Sequence, residues 1–213
     1  MYGSILVCVL LLGAEPLPNG SLLFLENCNK FVERVTAGQV GHVALVFNDP
    51  AVTWVYEATP AQVRRVPLET YYQELALLNQ SRRDNRLIRV TAYRPTRPYS
   101  AEESQAMRQF LDTQLGRRYS VKNYVTGHPG DGLHCAELTG NTLTRTQRFD
   151  IAKPQSVSPQ SLQDMVKPFY LAEELDITQP APSETWCEKS LRRWTEWSTW
   201  CQWSCGECRS YCW

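Results

Sequence analysis

The chain has 213 residues, enough for one domain with an appendage, and 43% of them are hydrophobic, enough for a core. Acidic and basic residues balance at 22 each, so no net field draws in nucleic acid or an anionic membrane. The basic pairs Arg64-Arg65, Arg82-Arg83 and Arg117-Arg118 are scattered and read as solvated faces.

In chain order, residues 1–14 read as a signal peptide. The apolar run at 5–12 is too short to span a bilayer, and Gly13-Ala14 supplies small residues for cleavage. A buried N-terminal strand is the alternative. Export predicts a secreted or periplasmic protein. Residues 21–26 are short and apolar and predict a strand. Residues 39–47 predict a second strand, ended by the turn chemistry of Asn48-Asp49-Pro50. Residues 53–59, TWVYEAT, are β-branched and aromatic and predict the return strand of a hairpin. A short strand at 63–66, a helix at 68–78 and a strand at 85–93 follow, the last ended by Pro95 and Pro98.

The clearest helix spans 101–115. Ser100 and Glu103 have capping-box spacing, and Met107, Phe110, Leu111 and Leu115 form an apolar stripe. Gly116 stands where a left-handed residue closes a helix. Ser158-Pro159 predicts the start of a later helix, and FYLA near Phe169 a strand that closes the sheet. This order of elements is α+β, an antiparallel sheet with helices rather than a regular βαβ alternation. It assigns residues 18–176 to the domain, 177–185 to a linker and 186–213 to a tail rich in Cys and Trp.

Of the eight cysteines, five crowd the last 27 residues. If export removes Cys8 and Cys135 stays a free thiol, an even set remains: Cys28, Cys187, Cys201, Cys205, Cys208 and Cys212. That arithmetic predicts disulfides formed in an oxidising compartment. A tail zinc site is the alternative, because Cys205-Gly-Glu-Cys208 is a C-x-x-C pair.

Cys135 has the setting of a nucleophile. A thiol attacks only as thiolate, and a helix start or a nearby imidazolium lowers its pKa. The Gly130-Asp131-Gly132 turn puts Cys135 in a first helical turn, although Thr139, Gly140 and Thr142 make that helix dependent on packing. The chain has three histidines: His42, His128 and His134. Successive helical side chains diverge, so His134 is expected to aim poorly at the sulfur. His42 lies mid-strand, where a rigid base is well held. If Phe47 faces Val52 across the hairpin, His42 faces Glu57, which then orients the imidazole.

Three stretches in this order, strand His, hairpin Glu and helix-start Cys, resemble the permuted papain-like amidase family, the YaeF/YiiX-type relatives of NlpC/P60 cysteine peptidases. The resemblance rests on GSLLFLEN from Gly20, GHVALV around His42, VYEAT around Glu57, LGRRYS around Tyr119, HCAELT around Cys135 and SPQSLQDM. Ser21, Gly41, His134 and Ala136 depart from the family's Asp, Ser, Tyr and Ser. The resemblance implies a papain-like fold with Cys135 as nucleophile, His42 as base and acid, and Glu57 as orienting group. Tyr119 and His134 are candidates for oxyanion or substrate contacts. No metal or other cofactor is implied. The expected reaction is cleavage of an amide bond in a peptide, a peptidoglycan peptide or an N-acyl lipid.

Two alternatives stand beside it. One is a thiol acyltransferase or lipid hydrolase resembling the lecithin retinol acyltransferase group, whose members commonly carry His where Glu57 stands. The other is a binding protein with an inert site that acts through its tail. In that tail, WTEWSTWCQWSCGEC resembles the start of a thrombospondin type 1 repeat and suggests a surface or protein partner.

Overall fold

The computed structural model describes residues 16–177, apart from 29–31, 34–35, 37, 83–85 and 129. The signal peptide at 1–14, the linker from residue 178 and the tail with Cys187, Cys201, Cys205, Cys208 and Cys212 lie outside the described residues.

The described strands are β1 (Ser21–Glu26), β2 (Val40–Asn48), β3 (Thr53–Ala58), β4 (Val63–Pro67), β5 (Arg89–Pro95) and β6 (Tyr170–Leu175). They form a six-stranded antiparallel sheet in the order β4-β3-β2-β1-β5-β6. The helices are α1 (Leu68–Ser81), α2 (Ala101–Gln114), α3 (Lys122–Thr126), α4 (Cys135–Leu143) and α5 (Pro159–Val166). The α+β expectation holds, with the 68–78 helix running on to Ser81 and the strand expected from residue 85 beginning at Arg89.

Side-chain alternation on the central strands feeds two cores. Val43, Leu45 and Phe47 of β2 join Met107 and Leu111 of α2, Leu138 and Leu143 of α4, and Leu162 and Val166 of α5. Ala44 and Val46 point the other way and join Val55 of β3 with Tyr71 and Leu75 of α1. The central strands therefore carry apolar residues on both faces.

Local chemistry sets the helix ends. Ser100 and Glu103 make the full capping box at the start of α2. Gly116 adopts φ 80° after α2, and its N–H donates to the Val63 carbonyl at 2.9 Å, which fastens that helix to β4. Ser158 caps α5 by accepting from the Ser161 N–H at 3.0 Å.

α4 is the helix that most needs its neighbours. Eight of its nine residues are buried. Thr139 and Thr142 donate their hydroxyls back to the Cys135 and Leu138 carbonyls at 3.0 and 2.7 Å. Gly140 is small because a Cβ there would stand 3.3 Å from Pro154. Weak propensity is thus offset by packing on every side.

Candidate active site

The hairpin of β2 and β3 sets the first two groups. Phe47 pairs with Trp54, two residues from the expected Val52. The register is corrected accordingly: His42 and Glu57 are diagonal neighbours rather than directly opposed. An even shift preserves the face, so Glu57 still points to the side that carries His42. Just before His42 the ladder slips, with Leu25 paired to His42 and Glu26 to Val40, and Gly41 is left over as a β-bulge. His42 Nε2 donates to Glu57 Oε2 at 2.7 Å. A carboxylate only accepts, so Nε2 carries the proton and Nδ1 is the nitrogen left for the sulfur.

The turn before α4 sets the third group. A Cβ on Gly132 would lie 2.5 Å from Ser120 Cβ and one on Gly130 2.5 Å from Asn123 Oδ1, so both glycines supply room. Arg117 donates to the Gly130 and Asp131 carbonyls, each at 2.8 Å. Leu133 N–H donates to the Arg118 carbonyl at 3.0 Å, and Ser120 N–H to the Leu133 carbonyl at 3.2 Å. Tyr119 thereby bridges to Leu133, two residues before Cys135.

His134 is the N-cap of α4. Its Nδ1 accepts from the Glu137 N–H at 3.3 Å, so its Nε2 is the donor to the Gln155 carbonyl at 3.0 Å. Tyr124 meets the ring edge-on at 5.9 Å. Asn123 Nδ2 donates to Glu137 Oε2 at 3.1 Å and to the Gly132 carbonyl at 2.8 Å, which ties cap, turn and helix together. The expectation that His134 aims poorly at the sulfur rests on a helical step that does not apply here. Divergence by a helical step applies between two helical residues, whereas His134 has an extended backbone at φ −104°, ψ 170°. Its ring is among the groups that lower the Cys135 thiol.

These groups converge on Cys135. Burial by itself pushes its thiol up, but His42, through its charge and hydrogen bonding, and the neighbouring His134 bring it down to about 6. Burial pushes His42 down, and the Cys135 thiolate and the Glu57 carboxylate outweigh it, raising the imidazole to about 10. Burial likewise pushes Glu57 up, and His42 and Arg64 hold it below the usual carboxylate range. The resulting pair is a thiolate and an imidazolium. The sulfur residue is 2% exposed and the His42 side chain 16%, so the opening lies on the imidazole side.

Two expectations change. Cys28, a disulfide candidate, is a free thiol whose sulfur donates to the Leu25 carbonyl at 3.5 Å and packs against the second core. Arg64, read as part of a solvated pair, donates from Nε to Glu57 Oε1 at 2.8 Å. The signal was available: closing the Thr59–Gln62 turn tightly puts Glu57 opposite Arg64 on β4. His128, the third histidine, lies on the loop after α3, and its N–H donates to the Thr126 hydroxyl at 3.4 Å. Among the described residues, no group of three or more His, Cys, Asp or Glu side chains is placed to hold a metal ion.

No protein-family model matches the chain, and no curated protein matches it by sequence. Among solved structures, the chain is similar to the metalloprotein YiiX of Escherichia coli O157:H7, DUF1105, with a TM-score of 0.47 and 16% identity over 79% of this chain and 95% of that one.

Proposed function

We propose that the chain is a cysteine hydrolase that cleaves an amide bond, of a peptide or an N-acyl group, through a thioester. The observation that carries this reading is the relay from Glu57 through His42 to a Cys135 thiol lowered to about 6. A thiol with that pKa is largely thiolate at neutral pH. The thiolate attacks the carbonyl carbon and the C=O electrons move onto oxygen. Cys135 is the first residue of α4, where a backbone N–H has no partner within the helix and faces a developing oxyanion. The intermediate collapses, the C–N bond breaks, and the His42 imidazolium protonates the leaving amine. Neutral His42 then takes a proton from water, the hydroxide adds to the thioester, and the C–S bond breaks to restore thiolate and imidazolium.

Glu57 favours hydrolysis of this type because a carboxylate keeps Nε2 protonated and the ring fixed through both half-reactions. Iodoacetamide alkylation at pH 7, followed at the Cys135 peptide by mass spectrometry, tests the reading. Cys135 is expected to react faster than the same thiol in the unfolded chain, and His42→Ala to slow it by about tenfold or more. Equal rates in folded and unfolded protein would overturn the proposal. Peptide anilides and N-acyl amides then divide the substrate classes, with Cys135→Ser as the inactive reference.

A further inference from the structure

Arg64 has an arrangement that packing alone does not require. It sits on β4 directly opposite Glu57. Its Nε donates to Glu57 Oε1 at 2.8 Å, and its Nη1 and Nη2 reach Glu74 of α1 at 3.2 and 2.5 Å. Glu57 is 5% exposed, so neither carboxylate oxygen has bulk water to fall back on. One oxygen is taken by His42 and the other by Arg64. Side chains from three neighbouring strands thus form one row, Arg64, Glu57, His42, which ends at the sulfur. Arg64 and Glu74 stand at its outer end, 33% and 38% exposed.

We propose that Arg64 is a positioning residue for the reaction proposed above, fixing the Glu57 carboxylate against His42 and linking α1, through Glu74, to the charge at the site. Arg64 touches no reacting atom. With the Arg64 Nε–H on Glu57 Oε1, the carboxylate cannot turn away from the imidazole without leaving a buried oxygen unpaired. Glu74 competes for the same guanidinium, so its charge subtracts from what Arg64 delivers to the site. The titratable and charged groups around the row are Cys28 after β1, His42 on β2, Glu57 on β3, Arg64 on β4, Tyr71 and Glu74 on α1, and His134 and Cys135 at α4. Among them, Arg64 and Glu74 act with opposite sign on one chain of contacts.

That opposition gives the test. The rate of Cys135 alkylation is measured against pH by mass spectrometry in wild type, Arg64→Gln, Arg64→Lys and Glu74→Gln, each checked by thermal melting. Loss of the guanidinium removes a cation that favours thiolate, so Arg64→Gln is expected to move the midpoint up by about half a unit. Glu74→Gln removes an opposing anion and is expected to move it down by about half as much. Arg64→Lys keeps the charge without the fork and falls between wild type and Arg64→Gln. A purely structural role would move both substitutions the same way through loosening of the site. Unchanged midpoints, or shifts of one sign in folded protein, overturn the assignment of Arg64 while a wild-type midpoint near 6 leaves the hydrolase reading standing. A wild-type midpoint at the ordinary thiol value overturns the hydrolase reading itself. If Arg64→Gln does not fold, the sign of the Glu74→Gln shift decides.

Discussion

Cys28, two residues beyond β1, and Cys135, at the head of α4, are both free thiols set among packed apolar side chains. Burial raises the pKa of each, yet they end far apart. Beside Cys28 stand further negative influences, the Cys135 thiolate and Glu33, with Arg82 as the opposing cation, and the thiol is pushed well above its ordinary value. Beside Cys135 stand two imidazoles and a helix start, and the thiol falls to about 6. Burial by itself therefore does not make a cysteine inert. The balance of neighbouring charge decides: Arg82 does not offset burial and the negative groups at Cys28, whereas the imidazoles outweigh burial at Cys135.

The sharpest way to break this contrast is competition within one molecule. At pH 7, Cys135 is expected to alkylate about 100-fold or more faster than Cys28, because only the former is largely thiolate. The advantage has a direction in pH. It shrinks as pH falls through about 6, where the Cys135 thiolate takes up a proton, and turnover also falls as pH rises through about 10, where His42 loses its proton. Comparable labelling of both peptides in a mass-spectrometric time course would erase the distinction.

A smaller effect is expected from Glu57→Gln. The amide lacks the negative charge that holds the proton on His42, so the alkaline limit moves down and turnover at pH 8 drops by roughly tenfold. The measurement is a pH–rate profile, and an unmoved alkaline limit would show that Glu57 acts only in packing. The smallest effect belongs to Cys28→Ala. Turnover and Cys135 labelling stay within about twofold of wild type, and thermal melting changes by no more than about 1 kcal/mol. A large loss of activity there would mean that the second thiol takes part in the chemistry.

The elements were legible because their signals are local. The capping box at Ser100 and Glu103, the closing Gly116 and the Ser158 cap are each written within a few residues. Alternation in β2 and β3 identified the face that holds His42 and Glu57, but not their pairing. The residues of the turn do not determine how many it consumes, and the ladder settles two positions from the simplest closure. The role of His134 was hidden for a different reason. Its aim depends on whether residue 134 is helical or a cap, and one backbone angle changes the answer. Arg64 reads by composition as one of a basic pair, although its partner on β3 follows from the same hairpin logic that pairs His42 with Glu57. Nothing in the local sequence of Cys28 told it from a disulfide cysteine, because its neighbours come from distant segments.

The placement of Cys135 at the head of α4 has a consequence for how the protein can change. The same nine residues that present the sulfur also fill the first core, so most substitutions along that helix trade chemistry against folding. Leu138→Ala, three residues from the sulfur, would itself be expected to remove about 2–5 kcal/mol. If Cys135 is the nucleophile proposed above, variation in what the site accepts is channelled away from the helix and onto exposed positions of the segments at its head, such as Arg118, Lys122, Val125 and Ser156. A library confined to those positions should alter substrate choice while the helix stays fixed.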